Sequence, residues 1–202
     1  MPNSQVVHVI DDDVDVRQSL AFLLSTAGFA VRVHESAVAF LAVLPAVQSG
    51  CIVTDIRMPE MDGLELQRRL AANKIGLPVI VMTGHGDVAL AVEAMKAGAV
   101  DFIEKPFDAE ILLGAIRSAL ARHAQAAENE ARRAEIRGRL DHLSERERAV
   151  LDGLVAGKPN KIIAYDLGIS PRTVEVYRAN VMTKMQAESL SELVRMVLLT
   201  AA

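Results

Sequence analysis

The sequence has a single cysteine and no tryptophan, and its other aromatic side chains are two Tyr and five Phe. One cysteine excludes an intrachain disulfide and fits a reducing compartment, and Cys51 lies in an apolar run typical of core packing. No apolar run approaches the roughly 20 residues that cross a bilayer, and no signal peptide is visible. We therefore expect a cytoplasmic protein with no membrane partner, and the 51% hydrophobic content predicts packed cores.

The chain also lacks a strongly basic segment. Its net charge is −4, and residues 1–122 have 10 Lys and Arg against 15 Asp and Glu. Residues 123–140 have 4 basic and 3 acidic residues, and residues 141–202 have 8 of each. The first part is therefore a poor nucleic-acid binder by charge alone. DNA binding by the last part would depend on where its charges sit.

Short apolar runs alternate with helical patterns over residues 6–120. The runs that we predict to be strands are residues 6–10, 30–33, 52–55, 78–83 and 100–103. Apolar residues at three-to-four spacing follow each run and predict helices, with Gly28, Pro45 and Gly98 as stop signals. Five such alternations with short loops predict an α/β fold, a parallel sheet covered by helices on both faces.

Polar side chains stand where four of these strands end: Asp11 with Asp12, Asp55, Thr83 and Lys105. The carboxyl ends of parallel strands meet at one edge of the sheet, where ligands bind. Clustered carboxylates favour a hard cation such as Mg²⁺, and Lys105 supplies a fixed positive charge. One carboxylate could be a nucleophile for a phosphoryl group, with Thr83 as a hydrogen-bond donor to it. The alternative is that these residues only occupy loops and helix caps.

On these residues, and on the Lys105–Pro106 pair, the segment 6–120 resembles the receiver domain of two-component response regulators. The resemblance implies a flavodoxin-like sheet with strand order 2-1-3-4-5 and phosphorylation of Asp55 by a sensor histidine kinase. It also implies Mg²⁺ as cofactor, bound by Asp12, Asp55 and the backbone carbonyl of Arg57, with Asp11 assisting through water.

The same resemblance assigns a switch to Thr83 and Phe102. Phe102 has no hydroxyl, so the switch would have to work by packing alone. His85, in the loop after the fourth strand, is expected to be solvated. Phosphorylation is expected to convert a monomer into a homodimer through the fourth helix and fifth strand, at Val88, Val92, Met95 and Lys96.

The segment from 121 to 141 is rich in Ala, Glu and Arg, without Pro, and with Gly only at position 138. Glu128 and Arg132 have the spacing of a helical ion pair. We predict that the last receiver helix continues into this segment as a semi-rigid connector. The predicted organisation is a receiver domain at 1–122, a helical linker at 123–141 and an all-α domain at 142–202.

The last segment has the pattern of a helix-turn-helix. Ser144 and Glu147 form a capping box at the start of one helix. A short helix from Asn160 leads to a turn at Gly168, and Ser170 caps a third helix with Pro171 at its first position.

The exposed face of the third helix is the candidate DNA-reading face. A helical wheel places Val174, Tyr177, Val181 and Met185 on its packed face. Opposite and flanking positions hold the residues predicted for base contacts, which are Glu175, Val176, Ala179 and Asn180. The residues predicted for phosphate contacts are Lys161, Arg172, Thr173 and Lys184.

On the capping box and the runs at 160–164 and 170–175, residues 143–199 resemble the LuxR-type (NarL/FixJ) DNA-binding domain. Tyr177 departs from the histidine common in that family. Residues 83–107 resemble the members that activate nitrogen-fixation genes. These resemblances imply that the whole chain is a transcription activator, with a sensor kinase, promoter DNA and RNA polymerase as its partners. Two other readings remain open: a Mg²⁺-dependent aspartyl-phosphate phosphatase, and a constitutive DNA-binding protein with a vestigial receiver.

Overall fold

The computed structural model describes residues 6–47, 49–84 and 88–201. The chain divides into two compact units, residues 1–125 and 126–202. This division falls inside one long helix, α5 (Ala109–Asp141), so the predicted continuation of the last receiver helix is observed. No helix within the described ranges is long and apolar enough to cross a membrane.

The first unit contains a five-stranded parallel sheet with the order β2-β1-β3-β4-β5, which confirms the predicted fold class and strand order. The central strands β3 and β4 are buried along their whole length, whereas the edge strands β2 and β5 are partly exposed. The strands are β1 (Val6–Ile10), β2 (Ala30–His34), β3 (Cys51–Asp55), β4 (Val79–Thr83) and β5 (Asp101–Glu104).

Helices cover both faces of this sheet because side chains alternate along each strand. Val7 and Val9 of β1 pack with α1 and α5, whereas Ile10 packs with α2, α3 and α4. An ion pair between Arg68 and Glu93 joins α3 to α4. The helices are α1 (Val14–Thr26), α2 (Ala37–Val43), which a short 3-10 turn (Leu44–Ala46) follows, α3 (Gly63–Ala72) and α4 (Val88–Lys96).

The second unit is all helical within its described residues. Its helices are α6 (Glu145–Val155), α7 (Asn160–Leu167), α8 (Pro171–Met185) and α9 (Leu190–Ala201). The capping box of Ser144 and Glu147 is present at α6, and Ser170 caps α8 through the backbone N–H of Thr173. Gly168 ends α7 with φ 64°, a left-handed conformation that glycine adopts without steric cost. Ile136 of α5 packs into the core of this unit.

A histidine pair joins β1 to β2, with His8 buried and His34 partly buried. Nδ1 of His8 and Nε2 of His34 are 3.1 Å apart, and the rings stack with centroids 5.3 Å apart beside Phe40. Burial, followed by the nearby His34 and Arg32, lowers the pKa of His8 to about 4. The pKa of His34 is also lowered, by burial and by Arg32.

This pair predicts that acid destabilises the receiver unit. The unfolded chain binds a proton near pH 6.5, whereas folded His8 binds it only near pH 4, so the free energy of unfolding falls as pH falls between those values. Between pH 7 and pH 5, the free energy of unfolding of His8→Leu should fall by about 2 kcal/mol less than that of the wild type. Urea unfolding at both pH values measures this. His123→Leu, which removes a half-exposed imidazole from α5, is the control, and equal losses in all three proteins would contradict the prediction.

Candidate functional site

The polar residues at the strand ends lie together, as the parallel sheet predicts. Lys105, just after β5, places its Nζ 2.9 Å from Oδ2 of Asp11 and 2.5 Å from Oδ1 of Asp55. Asp11 follows β1 and is 2% exposed, and Asp55 ends β3. One ammonium group therefore connects the ends of three strands and balances two carboxylates that burial would otherwise destabilise.

Backbone groups hold the other carboxylate oxygens. The N–H of Arg57 donates to Oδ2 of Asp55 at 2.7 Å, and the N–H of Asp13 donates to Oδ1 of Asp11 at 2.9 Å. Arg17 of α1 donates from Nη1 to the backbone carbonyl of Asp11 at 2.7 Å. Arg17 is not among the site residues predicted from the sequence, although its place one turn into the helix after the acidic pair is a signal that could have found it.

Charge and burial act in opposite directions on Lys105. Burial lowers its pKa, but the hydrogen bonds and charges of Asp55 and Asp11 outweigh burial and leave the pKa above its ordinary value. Lys105 is therefore a cation at every physiological pH. A permanent positive charge next to Asp55 suits the binding of an incoming anionic phosphoryl group.

The donor set fits a hard divalent ion, although the ammonium of Lys105 lies between two of the carboxylates. Asp12 is exposed beside Asp11, and together with Asp55 these residues offer only oxygen ligands, the type that Mg²⁺ prefers. Within the described parts of the chain, no three acidic, histidine or cysteine side chains stand in a metal-coordinating cluster. Lys105 bridges Asp11 and Asp55 instead.

The predicted switch residues point in different directions. Thr83 ends β4, is 2% exposed and donates its hydroxyl hydrogen to the carbonyl of Gly84 at 3.2 Å. Phe102 of β5 is 43% exposed, so its ring faces outward in this structure. Val92, Met95 and Lys96 of α4 are exposed as well, whereas His85 and the side chain of Val88 lie outside the described residues.

The loop after Asp55 is held close to β3 by a glycine. Gly63, the first residue of α3, donates its N–H to the carbonyl of Ile56 at 3.0 Å. A Cβ atom at Gly63 would lie 2.4 Å from the backbone oxygen of Asp55, closer than side chains ever approach. The φ of Gly63 is not in the left-handed region, so backbone conformation does not require glycine here. Glycine is required because there is no room for a side chain.

We expect Gly63→Ala to lower the free energy of unfolding by about 1–3 kcal/mol, because the backbone of β3 must shift to admit the methyl group. It should also slow phosphorylation, since the displaced atom belongs to Asp55. Gly114→Ala in α5 is the matched control: a Cβ there meets nothing within 4 Å, so alanine should stabilise the helix. Urea midpoints of the two variants measure the difference, and equal midpoints would refute the steric argument.

Helix α8 presents the face expected to read DNA. Val174, Val181 and Met185 are buried and Tyr177 packs against the same core, which is the packed face placed by the helical wheel. The other side of the helix is exposed, and its members are Arg172, Glu175, Val176, Ala179 and Asn180. Three of these side chains, Val176, Ala179 and Asn180, are small and uncharged, which allows the helix to enter a major groove.

The residues predicted for phosphate contacts differ in their surroundings. Lys161 on α7 is exposed, and the hydroxyl of Thr173 is 2.8 Å from that of Ser170. Lys184 instead donates to Oε2 of Glu147 at 2.6 Å, so its ammonium already has an anionic partner. Phosphate binding by Lys184 stays a prediction, and it competes with this ion pair.

Comparison with known proteins matches both units. The response regulator receiver domain matches residues 7–117, and the luxR family of bacterial regulatory proteins matches residues 141–197. The transcriptional regulatory protein FixJ of Azorhizobium caulinodans is 61% identical, with 98% of this chain and 94% of that protein aligned. FixJ of Rhizobium meliloti is 62% identical, over 95% of this chain and 94% of that protein.

Solved structures agree. Full-length FixJ from B. japonicum is 54% identical, covers 98% of this chain and 97% of its own, and superposes with a TM-score of 0.64. The response regulator StyR is 41% identical, with 96% and 98% of the two chains covered and a TM-score of 0.83.

Proposed function

This chain belongs to the response regulators with a LuxR-type DNA-binding domain, and we propose that Asp55 receives a phosphoryl group from a sensor histidine kinase. The family makes the protein a phosphorylation-dependent regulator of transcription, outside the known families of catalytic enzymes. The observation that carries the proposal is the Asp55 carboxylate at the end of β3, with Lys105 at 2.5 Å.

In the proposed reaction, one carboxylate oxygen of Asp55 forms a bond to phosphorus while the phosphorus–nitrogen bond of a kinase phosphohistidine breaks. The leaving nitrogen keeps the bonding electrons, and the imidazole is left neutral because its other ring nitrogen carries a proton. Lys105 moves from the carboxylate to a phosphoryl oxygen, and the N–H of Arg57 continues to hold the oxygen that does not react. Thr83 turns its hydroxyl from the Gly84 carbonyl to the phosphoryl group.

Receiver domains as a family use Mg²⁺ for phosphorylation. In this chain the ligands would be Asp12, Asp55 and the backbone carbonyl of Arg57, with Asp11 assisting through water. When bound, the ion neutralises charge on the transferring group. In this structure Asp11 is paired with Lys105.

Phosphorylation then acts on the exposed face of α4 and β5. The movement of Thr83 opens space into which Phe102 turns, and the vacated surface pairs with a second copy through Val88, Val92, Met95 and Lys96. Side chains such as Val92 and Met95 are apolar and exposed in the monomer, which supports this face as the contact. By resemblance to the family, the unphosphorylated receiver restrains its DNA-binding unit, so dimerisation both releases this restraint and pairs two units.

The paired units bind promoter DNA through α8 and recruit RNA polymerase. Base contacts come from Glu175, Val176, Ala179 and Asn180, which are exposed on one helix. Phosphate contacts come from Lys161, Arg172 and Thr173, and Lys184 could join them only by leaving its ion pair with Glu147. The identity of about 60% to FixJ proteins supports nitrogen-fixation genes as the regulated set.

Sedimentation of the full chain with and without acetyl phosphate and Mg²⁺ tests this function. We expect the mass to double only with both present, because the α4–β5 face pairs only after Asp55 is modified. Val92→Glu should remain phosphorylated but monomeric, since it places a carboxylate in the apolar contact.

Val43→Glu, at an exposed valine on α2, is the matched control and should still dimerise. A wild type that is phosphorylated without any change in mass would overturn the dimer switch. Turnover of an external phosphomonoester would instead favour the phosphatase reading, because the regulator modifies only itself.

A further inference from the structure

The C-terminal end of α8 is hydrogen-bonded to the end of α5, to the segment between α5 and α6, and to the start of α6. All the residues concerned belong to the second unit, residues 126–202. Lys184, in the last turn of α8, donates from Nζ to Oε2 of Glu147 at 2.6 Å and to the carbonyl of His142 at 3.3 Å. Arg139 of α5 donates from Nη1 to the carbonyl of Met185 at 2.9 Å. The end of the helix is thus anchored by three hydrogen bonds.

Glu147 is the centre of this arrangement. It is 4% exposed, and the same Oε2 that binds Lys184 accepts the N–H of Ser144 at 2.8 Å. The hydrogen bond from Lys184, followed by that from Ser144, keeps the pKa of Glu147 below its ordinary value. Its carboxylate therefore joins the start of α6 to the end of α8 and stays charged at neutral pH.

We infer that Glu147 is a positioning residue for DNA recognition: through Lys184 its buried carboxylate holds the end of α8 at the angle needed for base contacts. The inference rests on the proposed DNA binding by α8. It assigns Lys184 to this task instead of to a DNA phosphate. It also makes the last turns of α5, which supply Arg139, part of the recognition unit.

The two roles of Lys184 predict opposite effects of Glu147→Gln. If Lys184 binds phosphate, the loss of the neighbouring carboxylate frees the ammonium and removes a negative charge, so DNA binding becomes tighter or stays equal. If Glu147 positions α8, the neutral amide, which keeps an acceptor oxygen but not the charge, holds Lys184 more weakly. Specific binding then weakens roughly tenfold, the loss of about one aligned base contact.

The experiment uses the full chain treated with acetyl phosphate and Mg²⁺. Two probes are compared across a range of salt: a duplex enriched by the wild type from a random-sequence library, and the unselected library itself. For both Glu147→Gln and Lys184→Met we expect roughly tenfold weaker binding of the enriched duplex, with equal binding of the unselected library. The dependence on salt should not change. The double variant should bind no more weakly than the weaker single variant, since both act through one contact.

Lys161→Met is the matched control, because Lys161 is an exposed lysine of the same unit. It should weaken both probes alike and reduce the slope of log K against log salt by about 0.9, the value for one phosphate contact. A misfolded fraction lowers both affinities equally, so the ratio between the probes remains interpretable. Circular dichroism reports that fraction independently.

The inference fails if Lys184→Met behaves like Lys161→Met, or if Glu147→Gln binds the enriched duplex as tightly as the wild type does. A wild type that enriches no sequence at all would overturn the proposed function. If instead the wild type and both variants prefer the enriched duplex over the library to the same degree, only the inference about Glu147 fails.

Discussion

Replacement of Asp55 by asparagine should abolish phosphorylation and promoter activation together. The amide has the shape of the carboxylate and can still accept the N–H of Arg57, but it is a far weaker nucleophile and carries no charge for Lys105. We expect uptake of label from radiolabelled acetyl phosphate to fall on the order of 1,000-fold or more. Promoter activity in cells should fall to the level of a strain that lacks the gene.

Asp62→Asn is the matched control for this experiment. Asp62 is an exposed carboxylate in the same loop that caps α3 by accepting the N–H of Glu65, and asparagine caps helices equally well. It should be phosphorylated like the wild type. Full promoter activity of Asp55→Asn would show that the receiver is vestigial, whereas residual labelling of Asp55→Asn would mean that another side chain accepts the phosphoryl group.

Much of the fold was predictable because local patterns and tertiary structure agree. The largely apolar strands β3 and β4 are buried on both faces, and the polar residues that end strands meet because all strands run in parallel. Convergence of Asp11, Asp55 and Lys105 needed no information beyond strand order. The capping box at Ser144 was equally local, since both partners lie within four residues.

What could not be predicted depends on side chains far apart in sequence. The sequence pattern presents Lys184 as a free cation at the end of a DNA-reading helix, yet its partner Glu147, a capping-box residue, lies 37 residues earlier. His8 was counted as part of an apolar strand, and its pairing with His34 follows from the register of β1 and β2. Patterns within one element determine faces and ends, whereas such pairs depend on how elements pack.

Val176→Glu should weaken DNA binding because of where Val176 lies on α8. Val176 is 56% exposed in the middle of α8, on the side opposite its buried residues. A carboxylate there would enter the major groove between two rows of phosphates, replacing an apolar contact with a repelled charge. We expect affinity for the enriched duplex to fall at least about 100-fold, or about 2.7 kcal/mol.

Ala134→Glu separates this effect from net charge alone, because it adds the same charge to an exposed position of α5 in the same unit. Its affinity should stay within about threefold of the wild type, since it lies on the linker helix and not on α8. Titration of labelled duplex into each phosphorylated protein measures both. Comparable losses in the two variants would mean that charge, not the placement of α8 in the groove, governs binding.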